Sequence, residues 1–539
     1  MNTTQNKWAK NKKIDNSWSI LMALLLVTFD TFSQIDWHKC LGGTGEEIGF
    51  AIRQTSEGGY VVAGTAVSTD GDVGLNYGTN DGWVVKLTAT GNITWKKIIG
   101  GSYKDYAHDI KQTSDGGYIV TGITLSNNVD FLVLNHGMND AWAVKLSSTG
   151  AIQWKKCYGG SSVDYFSKVE QTADGGFLFA GSTLSNDGDL TNYNGNGDVW
   201  AVKTNSAGVI QWQKRIGGSS GEQLEFLYQD TNGSFLLGGF TSSWDGDFNS
   251  QFSYGANDAW LAKLSPTGSL SGVKVYGGSN SDFFKNCIKS ADGNYLISGG
   301  TLSTDYDLSG QSNAGMSDMW LLKIDTSGVI KWQKTYGGSG DDFTIFAEET
   351  PNGYFLLSRC ESSVAAGATN NGTVNFLYMN LDSARNIINS DCFGGSLAEM
   401  PEHAIKTTDG GFAAVGRAYS NDIDIVGQHG PVGEIDALVI KFSAIVGLNE
   451  TNYASNSLKV YPIPANTRLN IEPKNDFPLY QNTTTEIYNT LGQKVSPNNL
   501  LFSGNKAEID VANLDNGVYF LILQNPGNIK TSVKFIVAR

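Results

Sequence analysis

Between residues 34 and 443 short apolar runs alternate with polar punctuation in one order, repeated. A representative stretch reads Trp95-Lys96-Lys97, then Gly100-Gly101, then Ile110-Lys111-Gln112-Thr113. Next come Asp115-Gly116-Gly117-Tyr118-Ile119-Val120-Thr121-Gly122, a polar loop, and Asp140-Ala141-Trp142-Ala143-Val144-Lys145-Leu146. Runs rich in Val, Ile, Tyr, Phe, Trp and Thr and bounded by Gly, Asp, Asn and Ser predict strands, and no amphipathic helical stretch of useful length interrupts them. Gly-Gly pairs begin at Gly42, Gly100, Gly159, Gly217, Gly277, Gly337 and Gly394, in steps of 57 (337 to 394) to 60 (217 to 277) residues. That spacing makes seven units of four strands each.

Four strands per unit and a period of this length predict an all-β chain built as a seven-bladed β-propeller. An open superhelix of stacked β units is the rival architecture. Asp-Gly at 115, 174, 292 and 409 sits where a tight hairpin needs positive φ. Ser147-Ser148-Thr149-Gly150 is short enough to pair the strands on either side of it. A strand-interior Gly recurs at 64, 122, 181, 239, 299 and 416 and predicts close backbone approach near a central axis. The first unit opens at Trp37 with a strand that elsewhere comes last, and the seventh stops at Phe442 without it. The N-terminal strand is therefore expected to complete the last sheet. Later units drift, with Val273 and Ile388 in place of Trp and Asn375-Phe376-Leu377 or Asp436-Ala437-Leu438 in place of Asp-x-Trp. An apolar residue survives at each place, as a core role requires.

Composition narrows the function. The 539 residues are 40% hydrophobic and 17% charged, with a net charge of −15 and a pI near 4.8. Nucleic acid and anionic membranes are thereby excluded as partners, because both demand clustered Lys and Arg. Lys7, Lys10, Lys12 and Lys13 precede an apolar stretch from Trp18 to Phe29, which reads as a signal peptide over residues 1–33 cleaved between Ser33 and Gln34. Five cysteines are an odd number. Cys40, Cys157 and Cys392 occupy one repeat position, too far apart for bridging, so the cysteines are expected in the core.

The loop between the third and fourth runs carries a repeated acidic pair: Asp70 and Asp72, Asp187 and Asp189, Asp245 and Asp247, Asp305 and Asp307, Asp422 and Asp424, with Asn128 and Asp130 in the second unit. Paired carboxylates offer hard oxygen ligands, so calcium is the one cofactor this pattern admits. The competing role is turn capping, in which Asp bonds nearby backbone. The Lys at 86, 145, 203, 263, 323 and 441 predicts a repeated ion pair. Glu399 and Glu402 would suit acid–base sugar cleavage if they faced each other. The five histidines lie in no nucleophile or metalloprotease context, and no catalytic residue is assigned.

After a linker over 444–457 the period ends and a second pattern of short strands runs from 458 to 539, a small antiparallel β-sandwich. Its elements are Tyr461-Pro462-Ile463-Pro464, Tyr488-Asn489 with Gly492-Gln493, Leu514 with Gly517-Val518-Tyr519, and Lys534-Phe535 with Val537. This segment resembles the type A C-terminal sorting domain of type IX secretion substrates in Bacteroidota, with Ile463 where the family usually has Asn. The resemblance implies export across the outer membrane, contact with the type IX secretion and sorting machinery, and release or surface attachment. The chain is then expected to be a secreted or surface binding protein for a glycan or a surface protein. Alternatives are a polysaccharide hydrolase or lyase on a propeller, and a structural surface component.

Overall fold

The computed structural model describes residues 35–131, 135–190, 196–249, 255–431, 433–443, 458–461, 465–473, 484–489, 494–495, 501–503, 506–524 and 530–538. The signal peptide and its Ser33-Gln34 cleavage site lie outside these residues, as do Pro462, Pro464 and Gly492. Two compact units divide the chain at 446/447.

The first unit is all β apart from short 3-10 turns and holds seven four-stranded antiparallel sheets. The first sheet contains Glu47–Gln54, Tyr60–Ala66, Asp81–Leu87 and Ile93–Ile99, in chain order from inside to outside. Its second strand is buried at every position, whereas its outer strand exposes alternate residues. The middle strands lie between neighbouring sheets and meet apolar surface on both faces, so their sequences are continuous apolar runs. Trp83, Trp142, Trp200, Trp260 and Trp320 are at most 1% exposed, which makes the Asp-x-Trp motif core.

The first strand of each sheet neighbours the first strand of the next, and the cycle closes from the seventh to the first. The bonds at the closure are those used elsewhere. Gln112 accepts the Ser56 N–H (2.7 Å), Gln171 accepts the Ser114 N–H (2.8 Å), and Gln54 accepts the Thr408 N–H (2.8 Å) across the seam. Ile35–Leu41 pairs antiparallel with Asp436–Phe442 and supplies the seventh sheet with its fourth strand. Leu41, Val415 and Val439 then share one apolar cluster with Val62 and Trp83 of the first sheet. The arrangement is propeller-like, and contact between the first and seventh sheets is what an open stack lacks.

The recurrent strand-interior Gly does mark close approach, although within its own sheet. A methyl on Gly64 would lie 1.9 Å from the Ile48 carbonyl oxygen on the inner strand. Gly116, Gly175, Gly293 and Gly410 all have φ between 79° and 84°, as the hairpin turns require.

In the second unit, two four-stranded antiparallel sheets enclose one core that includes Leu469, Ile471, Ile487, Ile509, Leu521, Phe535 and Val537. Lys530–Val537 is the last strand and pairs along Gly517–Gln524.

Candidate functional site

Each of the seven inner strands carries a β-bulge at the same place. The residue left without a cross-strand partner is Phe50, His108, Ser167, Glu225, Lys285, Ile345 or Glu402. A bulge re-aims its extra side chain, and here all seven line one axial cavity of about 180 Å³, joined by Lys168, Asn286, His403 and Ala404. Two residues nearer the start of the strands, the half-buried rings of Tyr106, Tyr165, Phe283 and Phe343 form an aromatic collar. Phe50 and His108 lie 5.6 Å apart, His108 and Tyr165 6.0 Å, and Phe283 and Phe343 5.3 Å, ring centre to ring centre.

The charges around the cavity are mostly matched. Glu225 pairs with Lys285 at 2.7 Å, Lys111 with Glu170 at 2.6 Å, and Glu402 with Arg417. Arg53 holds Asp109 at 2.7 Å and donates to His403 Nε2 at 2.7 Å, while Asp109 also accepts the Val169 and Ile110 N–H groups. Burial drives the His108 pKa down to about 4, and burial with the nearby Arg53 cation takes His403 well below its ordinary value. Both imidazoles are neutral at pH 7. Among the described residues Lys168 has no hydrogen-bond or ion-pair partner, and burial lowers its pKa.

Around the mouth, the acidic loops are spent on backbone. Asp70, Asp187, Asp245, Asp305 and Asp422 accept the N–H of the residue after each Gly-Gly, at 2.7–2.9 Å. Asp189, Asp247, Asp307 and Asp424 accept the N–H of its first Gly at 3.2–3.3 Å. Asp72 instead lies 3.5 Å from His429 and donates its own N–H to the Gly42 carbonyl. Among the described residues no three acidic, His or Cys groups converge as a metal site. The residue between the two members of each pair, Asn128 and Asp130 included, has positive φ: Gly71, Gly188 and Gly246, but also Val129 (53°), Tyr306 (47°) and Ile423 (56°). For side chains of this size that conformation costs about 1–2 kcal/mol. All three are exposed, as are Leu75, Met138 and Trp244 (72%) in the same loops.

The sequence-level candidates separate. Glu399 is fully buried and accepts the Gly395 and Ser420 N–H groups, while Glu402 points into the cavity, so the two do not form an acid–base pair. The repeated Lys pairs with hairpin acids, Lys145 with Asp115 and Lys203 with Asp174 at 2.9 Å, and Lys441 with Asp409. The five cysteines are buried and free. Sequence reasoning missed the axial residues because it read for motifs, and the bulge column carries none. Its signal is the reverse, a column where the repeats disagree.

In the second unit Tyr461 Oη donates to Glu472 at 2.5 Å, Tyr519 Oη donates to the Asp515 carbonyl at 3.0 Å, and Tyr488 stands opposite Phe520. Gly517 pairs with Val537, and Lys534 with Phe520 in backbone register.

No curated protein matches the chain. Among solved structures it is similar to an apocarotenoid oxygenase mutant from Synechocystis (12% identity, 60% of this chain and 70% of that chain, TM-score 0.33). It is also similar to puromycin hydrolase (10%, 75% and 61%, 0.32) and to a glycoside hydrolase family 32 protein from Bifidobacterium adolescentis (8%, 93% and 96%, 0.23). At these TM-scores the overlap bears on no activity. Residues 459–538 match the family described as secretion system C-terminal sorting domain. The chain is thus a type IX secretion substrate carrying that sorting domain, delivered to the outside of the cell or its outer surface.

Proposed function

We propose that this is a binding protein displayed outside the cell, with residues 34–443 forming a seven-bladed β-propeller whose axial end is the ligand face. Residues 1–33 would be its signal peptide, 444–457 its linker and 458–539 its sorting domain. One observation carries the reading: seven equivalent bulges turn seven side chains into a single cavity, and six residue types fill them. A scaffold alone has no use for that diversity, whereas recognition of an asymmetric ligand needs it. The strained, exposed Val129, Tyr306 and Ile423 at the same end support it, since backbone strain of this kind collects at recognition sites. Both cavity carboxylates, Glu225 and Glu402, are held by cations, which favours binding over glycosidic hydrolysis. Cell-surface material and a glycan array probed with full-length protein and with Phe283→Ala/Phe343→Ala provide the test. Capture by the wild type and loss in the variant is the expected result, and equal capture removes the axis from the function.

A further inference from the structure

We propose, building on the axial-binding reading, that the cavity takes a sugar acid, with the carboxylate on Lys168 Nζ and a ring face against Phe50, both of which line it. Four acids around the cavity, Asp109, Glu170, Glu225 and Glu402, already have cations at hydrogen-bond distance. Both histidines are neutral, so among the described residues lining the cavity Lys168 is the charged side chain with no cation or anion at hydrogen-bond distance. One cation matches one carboxylate. A phosphate dianion would bring a second negative charge beside Glu225 and Glu402. Pyranose C–H faces suit half-buried aromatic rings, and the volume admits one sugar residue. Anion binding also restores the Lys168 charge that burial disfavours.

Calorimetry on the full chain tests this with glucuronate and galacturonate oligomers, matched neutral oligomers and inorganic phosphate. A charge-assisted contact predicts that uronates bind about 10-fold or more tightly than their neutral counterparts. Lys168→Met should erase that preference while neutral binding persists, and Phe50→Ala should weaken both. Equal affinity for uronate and neutral sugar, tighter phosphate binding, or an unaffected Lys168→Met overturns the proposal. If uronates fail while wild-type capture of surface material still depends on Phe283 and Phe343, the sugar-acid assignment falls and axial binding stands.

A second inference rests on the sheet junctions. At six of the seven, the acid that opens an inner strand faces an acid that opens the third strand of the preceding sheet, beside the first Gly of Gly-Gly. A methyl on Gly100 would lie 2.1 Å from Asp81 Oδ1 and 3.0 Å from Asp105 Oδ2. Asp81 Oδ1 and Asp318 Oδ1 are buried with no hydrogen-bond partner. At the sixth position Asn375 replaces Asp, and its amide, oriented by its neighbours, donates to Glu399 Oε2 at 3.1 Å. We infer that Asp81 with Asp105, and Asp318 with Asp342, each share one proton, the Oδ1–H of the first donating where the Asn375 amide donates. Thiols face both pairs: burial and then the neighbouring acids raise the Cys157 pKa, while the hydrogen bond with Cys392 and then burial raise that of Cys360, so both are neutral. Other junctions add His136, Arg215 or His429 beside the pair and are less clean.

Burial, reinforced by the facing acid, raises Asp81 and Asp318 to about 6. A raised carboxyl stabilises the fold fully below its unfolded value, and that stabilisation is lost as pH rises through about 6. The full chain should accordingly melt at lower temperature at pH 8 than at pH 5. Asp81→Asn/Asp318→Asn should flatten the slope and melt a few degrees above wild type at pH 8. The infrared band of protonated carboxylic acid should be present at pH 5, fade as pH rises through about 6, and be weaker in the double variant. An unchanged slope, or no such band in the wild type, overturns the shared proton.

Discussion

Two positions three residues apart on every inner strand follow opposite rules. The opening residue is an acid in all seven sheets, Glu47, Asp105, Asp164, Glu222, Asp282, Asp342 and Glu399, each fully buried. Each accepts the N–H of the second Gly of its Gly-Gly pair, at 2.6–3.2 Å. Three residues on, the bulge position runs Phe, His, Ser, Glu, Lys, Ile, Glu. The first position is fixed because a buried donor needs its acceptor and the adjoining loop leaves no room for a Cβ. The second has no cross-strand partner to satisfy, so folding leaves its chemistry open.

The comparison breaks hardest if the ring is cut. Deleting residues 35–41 removes the fourth strand of the seventh sheet and strips Leu41 from the closing cluster. Calorimetry should show loss of the cooperative transition or a fall in Tm larger than any point substitution produces. Gly100→Ala tests the fixed position, because its methyl would meet Asp81 Oδ1 at 2.1 Å. A cost of about 1–3 kcal/mol is expected, read from denaturant unfolding. Ser167→Ala tests the open position, where a change within about 0.5 kcal/mol is expected. A Ser167→Ala cost equal to that of Gly100→Ala would erase the distinction. The smallest effect belongs to Asp187→Asn/Asp189→Asn. These side chains hold amides rather than a cluster of ligands, so a slight fall in Tm is expected that is the same with calcium and with chelator. A calcium-dependent rise in wild-type Tm that the double variant loses would restore the metal reading.

Much of the fold was legible because burial repeats. Apolar periodicity named the strands, Asp-Gly named the hairpins, and the offset between Trp37 and Phe442 gave the shared last sheet. The reason for Gly-Gly was not legible, since it depends on carboxylates from two different sheets converging on one glycine. The acidic pairs were visible, but whether their oxygens face each other or separate backbone amides is a matter of loop geometry.

By itself the sequence determined the sheets and their number, because these follow from local periodicity, while the export route came from the likeness of residues 458–539 to a family of sorting domains. Tertiary structure alone decided that Phe50, Lys168, Lys285 and His403, drawn from four sheets, line one cavity, and that Asp81 faces Asp105. Those groups are far apart or differently placed along the chain, and only closure of the ring sets the distances and the loss of water that give them their chemistry.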